Sequence, residues 1–266
     1  MPEVFVQVLW RRRFWLIWWS LGFLAADALL AIAYPTVRDN KELDQTFSGL
    51  PPGVQAALGL QAGAITSPAG YLNSQYFANL LPILLLVFGI GLAAWCIGGD
   101  EGAGTLELLL ENPISRMRLA IERSAALAAE LAIATTVAGL GLTGLAPLTG
   151  LTNGLGLEKI LEAAIATGLL ALTFAAFALA VGAATGSRGA ALSIAAAIAV
   201  GLYMIEGLAE PVKILGPIRE ASPWHWLLGT DPIRHGLLWQ SWALPVAVSA
   251  ALIVAGSLAF ARRDLH

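Results

Sequence analysis

The chain has 266 residues, of which 58% are hydrophobic and only 12% are charged, and its mean hydropathy is +0.74. A soluble domain is about half apolar and about a quarter charged, so this composition excludes an ordinary soluble globular protein and predicts one that crosses a membrane several times. The net charge of −3 excludes the strongly basic class of protein that binds nucleic acid. The single cysteine, Cys96, excludes an internal disulfide.

The first segment, residues 3–13, mixes apolar side chains with Trp10 and with Arg11, Arg12 and Arg13. Such a composition favours an N-terminal interfacial helix, which would lie in the inner membrane surface ahead of the first span. A plain cytoplasmic extension is the alternative.

Six apolar stretches are long enough to cross a bilayer, because a helical span needs about 20 mostly apolar residues. Backbone polar groups inside lipid must bond within their own segment, so each stretch is predicted to be a helix. The expected fold class is therefore an all-α membrane protein with six transmembrane helices in a single transmembrane domain, residues 1–266. The predicted spans are residues 14–34, 76–98, 119–146, 159–184, 190–206 and 242–260.

The basic residues predict the orientation of the spans. Nine of the fifteen lysines and arginines fall on the side that holds both termini, and six fall on the other side. Cytoplasmic loops carry an excess of these residues, so both termini are predicted to be cytoplasmic in a multi-pass protein of the cell membrane. The nine tryptophans agree, because they cluster near the predicted ends of spans, where indole rings are favoured.

Two acidic residues lie inside predicted spans: Asp27 in the first and Glu130 in the third. A carboxyl group is costly in a membrane and is by default a candidate functional group. The two side chains are candidates for a substrate path or for a proton relay. A hydrogen bond between packed helices, with the carboxyl group protonated or paired, is the simpler interpretation.

Two outer segments are substantial, residues 35–75 after the first span and residues 207–241 after the fifth. The second contains four prolines among apolar and aromatic residues, a pattern that indicates short broken helices dipping into the outer leaflet where protein covers the backbone. It also contains His225, Asp231 and His235, but their spacing fits no zinc motif, so no metal site is expected.

A charged segment lies between the second and third spans, at residues 99–118, on the predicted cytoplasmic side. Its run Thr105–Glu111 favours a short helix, and Asn112-Pro113 ends that run because the residue before proline disfavours helix. Ser115 is placed to cap the following helix. The pattern predicts a helix across the inner mouth of the protein that suits docking to a soluble partner; an ordinary solvated hairpin is the alternative.

The sequence of this segment resembles that of ABC-2 type transporter permeases. The resemblance rests on DEGAGTLELL at residues 100–109, followed by PISR at 113–116, and the closing FARRDL at 260–265 resembles a common ending of the family. One departure is Glu122-Arg123, which stands where many members have Gly-Lys.

The resemblance implies the membrane subunit of an ABC exporter, with a cytoplasmic coupling helix that inserts into a separate ATPase subunit. The coupling contacts that it implies are Glu101, Gly104, Thr105, Glu107 and Leu108. It further implies two ATPase copies and a second permease chain, identical or related. The apolar spans suit a hydrophobic or amphiphilic substrate.

The chain lacks a G-x-x-x-x-G-K-[ST] phosphate-binding motif, and none of its three lysines follows a glycine-rich loop. We therefore expect no enzyme activity and no cofactor in this chain, and we expect the partner subunit to bind ATP and Mg. The alternative is a non-ABC protein: a proton-coupled secondary transporter that uses Asp27 and Glu130, or an intramembrane enzyme. A scaffold or sensor built on a permease fold is a third option.

Overall fold

The computed structural model describes residues 3–51, 54, 65–96, 115–209 and 212–262. These residues form helices and connecting turns, with no β-strand among them. The helices are α1 (Glu3–Arg38), α2 (Lys41–Ser48), α3 (Pro68–Cys96), α4 (Arg116–Thr149), α5 (Leu157–Thr185), α6 (Arg188–Leu208), α7 (Gly216–Glu220), α8 (Pro223–Leu227), α9 (Pro232–His235) and α10 (Trp239–Arg262).

Six of these helices, α1, α3, α4, α5, α6 and α10, are long and apolar enough to cross a membrane. They coincide with the six predicted spans, so the predicted all-α membrane fold is confirmed. Several are longer than their apolar stretch, because the helix continues into polar turns at its ends. Helix α4 stops where Gly150 adopts a left-handed backbone with φ of 83°, a conformation that favours glycine after a helix.

The first helix corrects one expectation from the sequence. Residues 3–13 are not a separate interfacial helix but the first turns of α1, which continues without a break to Arg38. The reason is local, because no glycine or proline interrupts the chain between Glu3 and Leu21 and so nothing turns the backbone into the plane of the membrane surface.

Helix α5 lies at the centre of the bundle, where it packs against α3, α4, α6 and α10, while α1 packs mainly against α4. Small residues permit these close approaches, as they do in other membrane helices. A Cβ atom at Gly139 of α4 would lie 3.0 Å from Ala164 Cβ of α5. A Cβ atom at Gly256 of α10 would lie 2.9 Å from Ala180 Cα of α5.

Helices α1 and α6 lie at the periphery and keep large apolar side chains exposed. Trp18 and Ile32 of α1 are 73% and 72% exposed, and Val200 and Met204 of α6 are 61% and 53% exposed. In a membrane such faces are covered by lipid or by another membrane chain.

The proline-rich outer segment forms the three short helices α7, α8 and α9, as its pattern predicts. Ser222 caps α8 by accepting a hydrogen bond from Trp224 N–H at 3.3 Å. The Trp224 side chain is buried and its Nε1–H donates to Ala199 O of α6 at 3.1 Å. This hydrogen bond packs the outer segment against α6. Its position in the outer leaflet stays a prediction.

Candidate functional site

The five predicted coupling contacts, Glu101, Gly104, Thr105, Glu107 and Leu108, lie outside the described residues. The structure does show what flanks them. Helix α3 ends at Cys96, and α4 begins after Ser115. Ser115 Oγ accepts a hydrogen bond from Arg118 N–H at 3.3 Å, so the predicted helix cap is confirmed.

Asp27 of α1 is fully buried between α3 and α4. Its Oδ1 accepts a hydrogen bond from the hydroxyl group of Tyr76, which is also fully buried. Within the described part of the chain, Asp27 Oδ2 has no hydrogen-bond partner and Asp27 forms no ion pair. Because a carboxylate without a counter-ion is costly to bury in hydrocarbon, this arrangement suits a neutral acid that joins two helices.

Two backbone features allow this contact. Residues Leu72–Leu80 of α3 are wound as a π-helix, a wider turn than the α-helix that often occurs at functional sites, and Tyr76 lies in its middle. On the other side, Gly141 of α4 faces the carboxyl group, and a Cβ atom there would lie 2.5 Å from Asp27 Oδ2. The sequence gives no local sign of the pairing, because Asp27 and Tyr76 are 49 residues apart.

The π-helical segment also connects α3 to α6. Asn79 Nδ2 donates to Ser74 O at 2.6 Å, and Asn79 Oδ1 accepts from the hydroxyl group of Tyr203 at 2.6 Å. The Tyr203 ring in turn lies 4.9 Å from the Trp224 ring, centroid to centroid. Polar contacts therefore run from α1 through α3 to α6 at the predicted outer half of the bundle.

Glu130 of α4 lies in a different place and has a different partner. It is fully buried, and its Oε2 lies 3.5 Å from Nε of Arg12 on α1. The Arg12 guanidinium carbon is 4.0 Å from the centroid of the Trp15 ring and 4.5 Å from that of Trp95. The two aromatic rings thus position the guanidinium group of Arg12, which is the counter-ion of Glu130.

The structure does not bring Asp27 and Glu130 together. Glu130 contacts Arg12, which precedes Asp27 by fifteen residues on the continuous helix α1, a rise of about 22 Å. The two carboxyl groups are therefore separate sites at different depths of the bundle, and they are not in contact. Whether either lies on a substrate path stays a prediction.

An apolar cleft of about 380 Å³ lies between α3 and α6 and is capped by Trp224. No sequence motif indicates it, because it arises from a gap between two helices whose facing residues are ordinary apolar ones. Its lining includes Ile83, Leu86, Val87, Ile90, Leu192 and Tyr203. The cleft can hold a hydrophobic group, with the Tyr203 and Trp224 rings at one end.

Just outside the cleft, Glu206 at the end of α6 pairs with two side chains of the outer segment. Its Oε1 lies 3.0 Å from Arg219 Nε and 3.3 Å from His225 Nδ1. Farther along, Asp231 Oδ2 lies 3.7 Å from Arg234 Nε. Within the described ranges, no group of three or more His, Cys, Asp or Glu side chains is placed to hold a metal ion.

The helices, the cleft and the buried acids all fall largely within one recognised family domain. The family model described as ABC-2 family transporter protein matches residues 7–222. The chain belongs to the ABC-2 family of transporter proteins. No curated protein matches the chain.

Membership makes this ABC-2 chain a multi-pass membrane permease and implies an ABC ATPase as its partner. The matched residues extend from the first turns of α1 to Ser222, the cap of α8. They include the charged segment at residues 99–118, both buried acids and all the residues of the cleft that belong to α3 and α6.

Proposed function

We propose that this ABC-2 permease is the membrane subunit of an ATP-driven exporter that moves a hydrophobic or amphiphilic substrate out across the cell membrane. Two ATPase subunits bind ATP and Mg, and the permease pairs with a second permease chain. Family membership favours this function over a proton-coupled secondary transporter and over an intramembrane enzyme. The separation of Asp27 from Glu130 also speaks against a direct proton relay between them.

The observation that carries the substrate class is the apolar cleft between α3 and α6. Its volume of about 380 Å³ is at the low end for a small-molecule site, and its walls are apolar and aromatic. The exposed face of α6 continues from the cleft with Val200, Met204 and Leu208. A second permease chain covering that face would enclose the cleft, which supports pairing.

The proposed link to ATP is the segment between α3 and α4, where Glu101, Gly104, Thr105, Glu107 and Leu108 contact the ATPase. A cytoplasmic location of this segment and of both termini is supported by the arginines at one end of the bundle. Arg12, Arg118 and Arg123 all lie toward the end of the bundle where α1 and α4 begin, as the positive-inside rule expects.

The experiment fills the cleft with a larger side chain. Val87 lines the cleft and is 58% exposed, and Val254 of α10 is equally exposed but lies outside it. In proteoliposomes that contain the permease and its ATPase, we expect Val87→Trp to reduce ATP-dependent movement of an amphiphilic dye and of a fluorescent phospholipid analogue. Val254→Trp should leave both unchanged. Equal transport by the two variants would contradict the assignment of the cleft.

A further inference from the structure

Glu122 joins the start of α1 to the start of α4. Its Oε2 accepts hydrogen bonds from Val4 N–H at 2.9 Å and from Phe5 N–H at 3.2 Å. The first N–H groups of a helix have no partner inside the helix, and an acid is favoured beside them by the helix dipole. A side chain 118 residues away along the chain therefore caps α1.

The second oxygen of Glu122 is also engaged. Its Oε1 lies 2.8 Å from Nε of Arg118, one turn earlier on α4, and the Glu122 side chain is only 12% exposed. Val4 and Val8 of α1 are buried around this contact, as is Leu119 of α4. The Arg118 side chain is 52% exposed, whereas the hydrogen bonds from Val4 N–H and Phe5 N–H are partly buried. A charge-assisted hydrogen bond that is partly shielded from water is stronger than one in water, so the two backbone contacts contribute most to holding α1 against α4.

A second contact fixes the same two helices farther along. Arg12 of α1 pairs with Glu130 of α4 at 3.5 Å. Arg12 follows Val4 by eight residues, and Glu130 follows Glu122 by eight residues, so the two helices run parallel and in register over about 12 Å. Two contacts at equal spacing resist both sliding and rotation of α1 against α4.

The same stretch of α4 also holds the end of α3. Arg123 is buried and its Nη1–H donates to the carbonyl oxygen of Cys96, the last residue of α3. Cys96 and Ser115 are the described residues on either side of the segment proposed to contact the ATPase. The inner end of α4 therefore touches both flanks of that segment and, through Glu122, the start of α1.

We propose that Glu122 is a positioning residue that makes α1 move together with the inner end of α4 when the ATPase displaces the segment between α3 and α4. This inference rests on the proposed function. It gives a role to the departure noted in the sequence, because a glycine at position 122 would leave Val4 N–H and Phe5 N–H without this acceptor. The contact of Glu122 with Val4 and Phe5 and the pair of Arg12 and Glu130 together form the joint between α1 and α4.

The experiment compares Glu122→Ala, which removes both acceptor oxygens, with Glu122→Gln, which keeps one. Glu42→Ala is the control, because Glu42 is an exposed acid on α2 outside the bundle. With the ATPase in proteoliposomes, we expect Glu122→Ala to lower the phospholipid analogue moved per ATP hydrolysed by about fivefold or more. Glu122→Gln should fall between that variant and the wild type, and the control should match the wild type, with similar membrane yields throughout.

A distance measurement separates a mechanical role from a loss of folding. Val6 of α1 and Ile121 of α4 are 58% and 53% exposed and can carry spin labels beside the joint. In the wild type, we expect one narrow distance distribution that is the same without nucleotide and with trapped ATP. In Glu122→Ala and Glu122→Gln, it should broaden and differ between the two states.

Unchanged distributions in both variants would overturn the inference, whatever the yield of Glu122→Ala, because the isosteric glutamine variant tests the joint independently. If the wild-type pair hydrolyses no ATP and moves no probe, the proposed function fails instead. In that case the distributions without nucleotide still decide whether Glu122 fixes α1 to α4.

Discussion

The contact between Gly141 and Asp27 predicts different effects for two glycine substitutions, Gly141→Ala and Gly144→Ala, on α4. At Gly141, a Cβ atom would lie 2.5 Å from Asp27 Oδ2 and 2.6 Å from Leu24 Cδ2. At Gly144, it would meet no atom within 4 Å. Replacing glycine by alanine inside a helix gains about 0.5–1 kcal/mol at either position, so that gain cancels when the two variants are compared.

The difference between the variants is then the overpacking at Gly141, which costs about 1–3 kcal/mol in a well-packed interior. We expect Gly144→Ala to be as stable as the wild type or more so, and Gly141→Ala to be less stable than Gly144→Ala by that amount. The assay is thermal unfolding of the purified permease in mild detergent, followed by tryptophan fluorescence. Combining Gly141→Ala with Asp27→Ala should remove much of the cost of the added Cβ atom, because alanine at position 27 leaves room for it.

Equal unfolding midpoints for Gly141→Ala and Gly144→Ala would refute this reasoning. They would mean that α1 does not approach α4 as closely as the Asp27 contact requires. If the loss of stability in the double variant equals the sum of the losses in the two single variants, the cost arises at Leu24 rather than at the carboxyl group.

Three further predictions concern the buried acid, the outer segment and the orientation. Asp27→Asn keeps an acceptor for the Tyr76 hydroxyl and should preserve stability and transport. Asp27→Leu leaves that hydroxyl unpaired and should lower the free energy of unfolding by about 1–3 kcal/mol. Loss of transport in Asp27→Asn, with stability unchanged, would instead indicate that Asp27 carries a proton. Burial raises the pKa of Asp231 above its ordinary value, so its contribution to stability is present below the ordinary carboxyl pKa and declines as the pH rises through the raised value. Asp231→Asn should remove the contribution of Asp231 to the pH dependence of unfolding, and asparagine is compatible with the left-handed backbone at φ of 52°. An unchanged pH profile would show that Asp231 does not make this contribution. In intact cells, an impermeant thiol reagent should label a cysteine at Glu42 but not one at Ser115, and the reverse pattern would invert the topology.

The spans were predictable because a bilayer imposes a length and a composition that hydropathy detects directly. The Ser115 cap and the short helices of the proline-rich outer segment were predictable because capping and helix breaking depend on neighbours in the chain. The union of residues 3–13 with the first span was not predicted. Its basic and aromatic composition suits a membrane surface, but no residue there turns the backbone.

The contacts within the candidate sites could not be predicted from the sequence as readily as the spans. The acids Asp27 and Glu130 could be singled out by their cost in a membrane, but their partners Tyr76 and Arg12 lie on other helices, and nothing local marks them. Glu122 was visible only as a departure from a family pattern. Its role depends on the start of α1 reaching it, which is a fact of helix packing rather than of composition.

The central claim is that the segment between α3 and α4 couples this permease to a separate ATPase, and charge reversal tests it most directly. An acid in such a contact makes charge-assisted bonds of about 1.5–3 kcal/mol, so Glu101→Lys or Glu107→Lys should weaken ATPase binding about tenfold or more. The measurement is co-purification of the ATPase together with ATP-dependent movement of the fluorescent phospholipid analogue, with membrane yield as the control for folding and Glu42→Lys as the control for charge. We expect both signals to fall in the first two variants at normal yield and to persist in the third. Wild-type binding and transport in the double variant Glu101→Lys/Glu107→Lys would contradict the account.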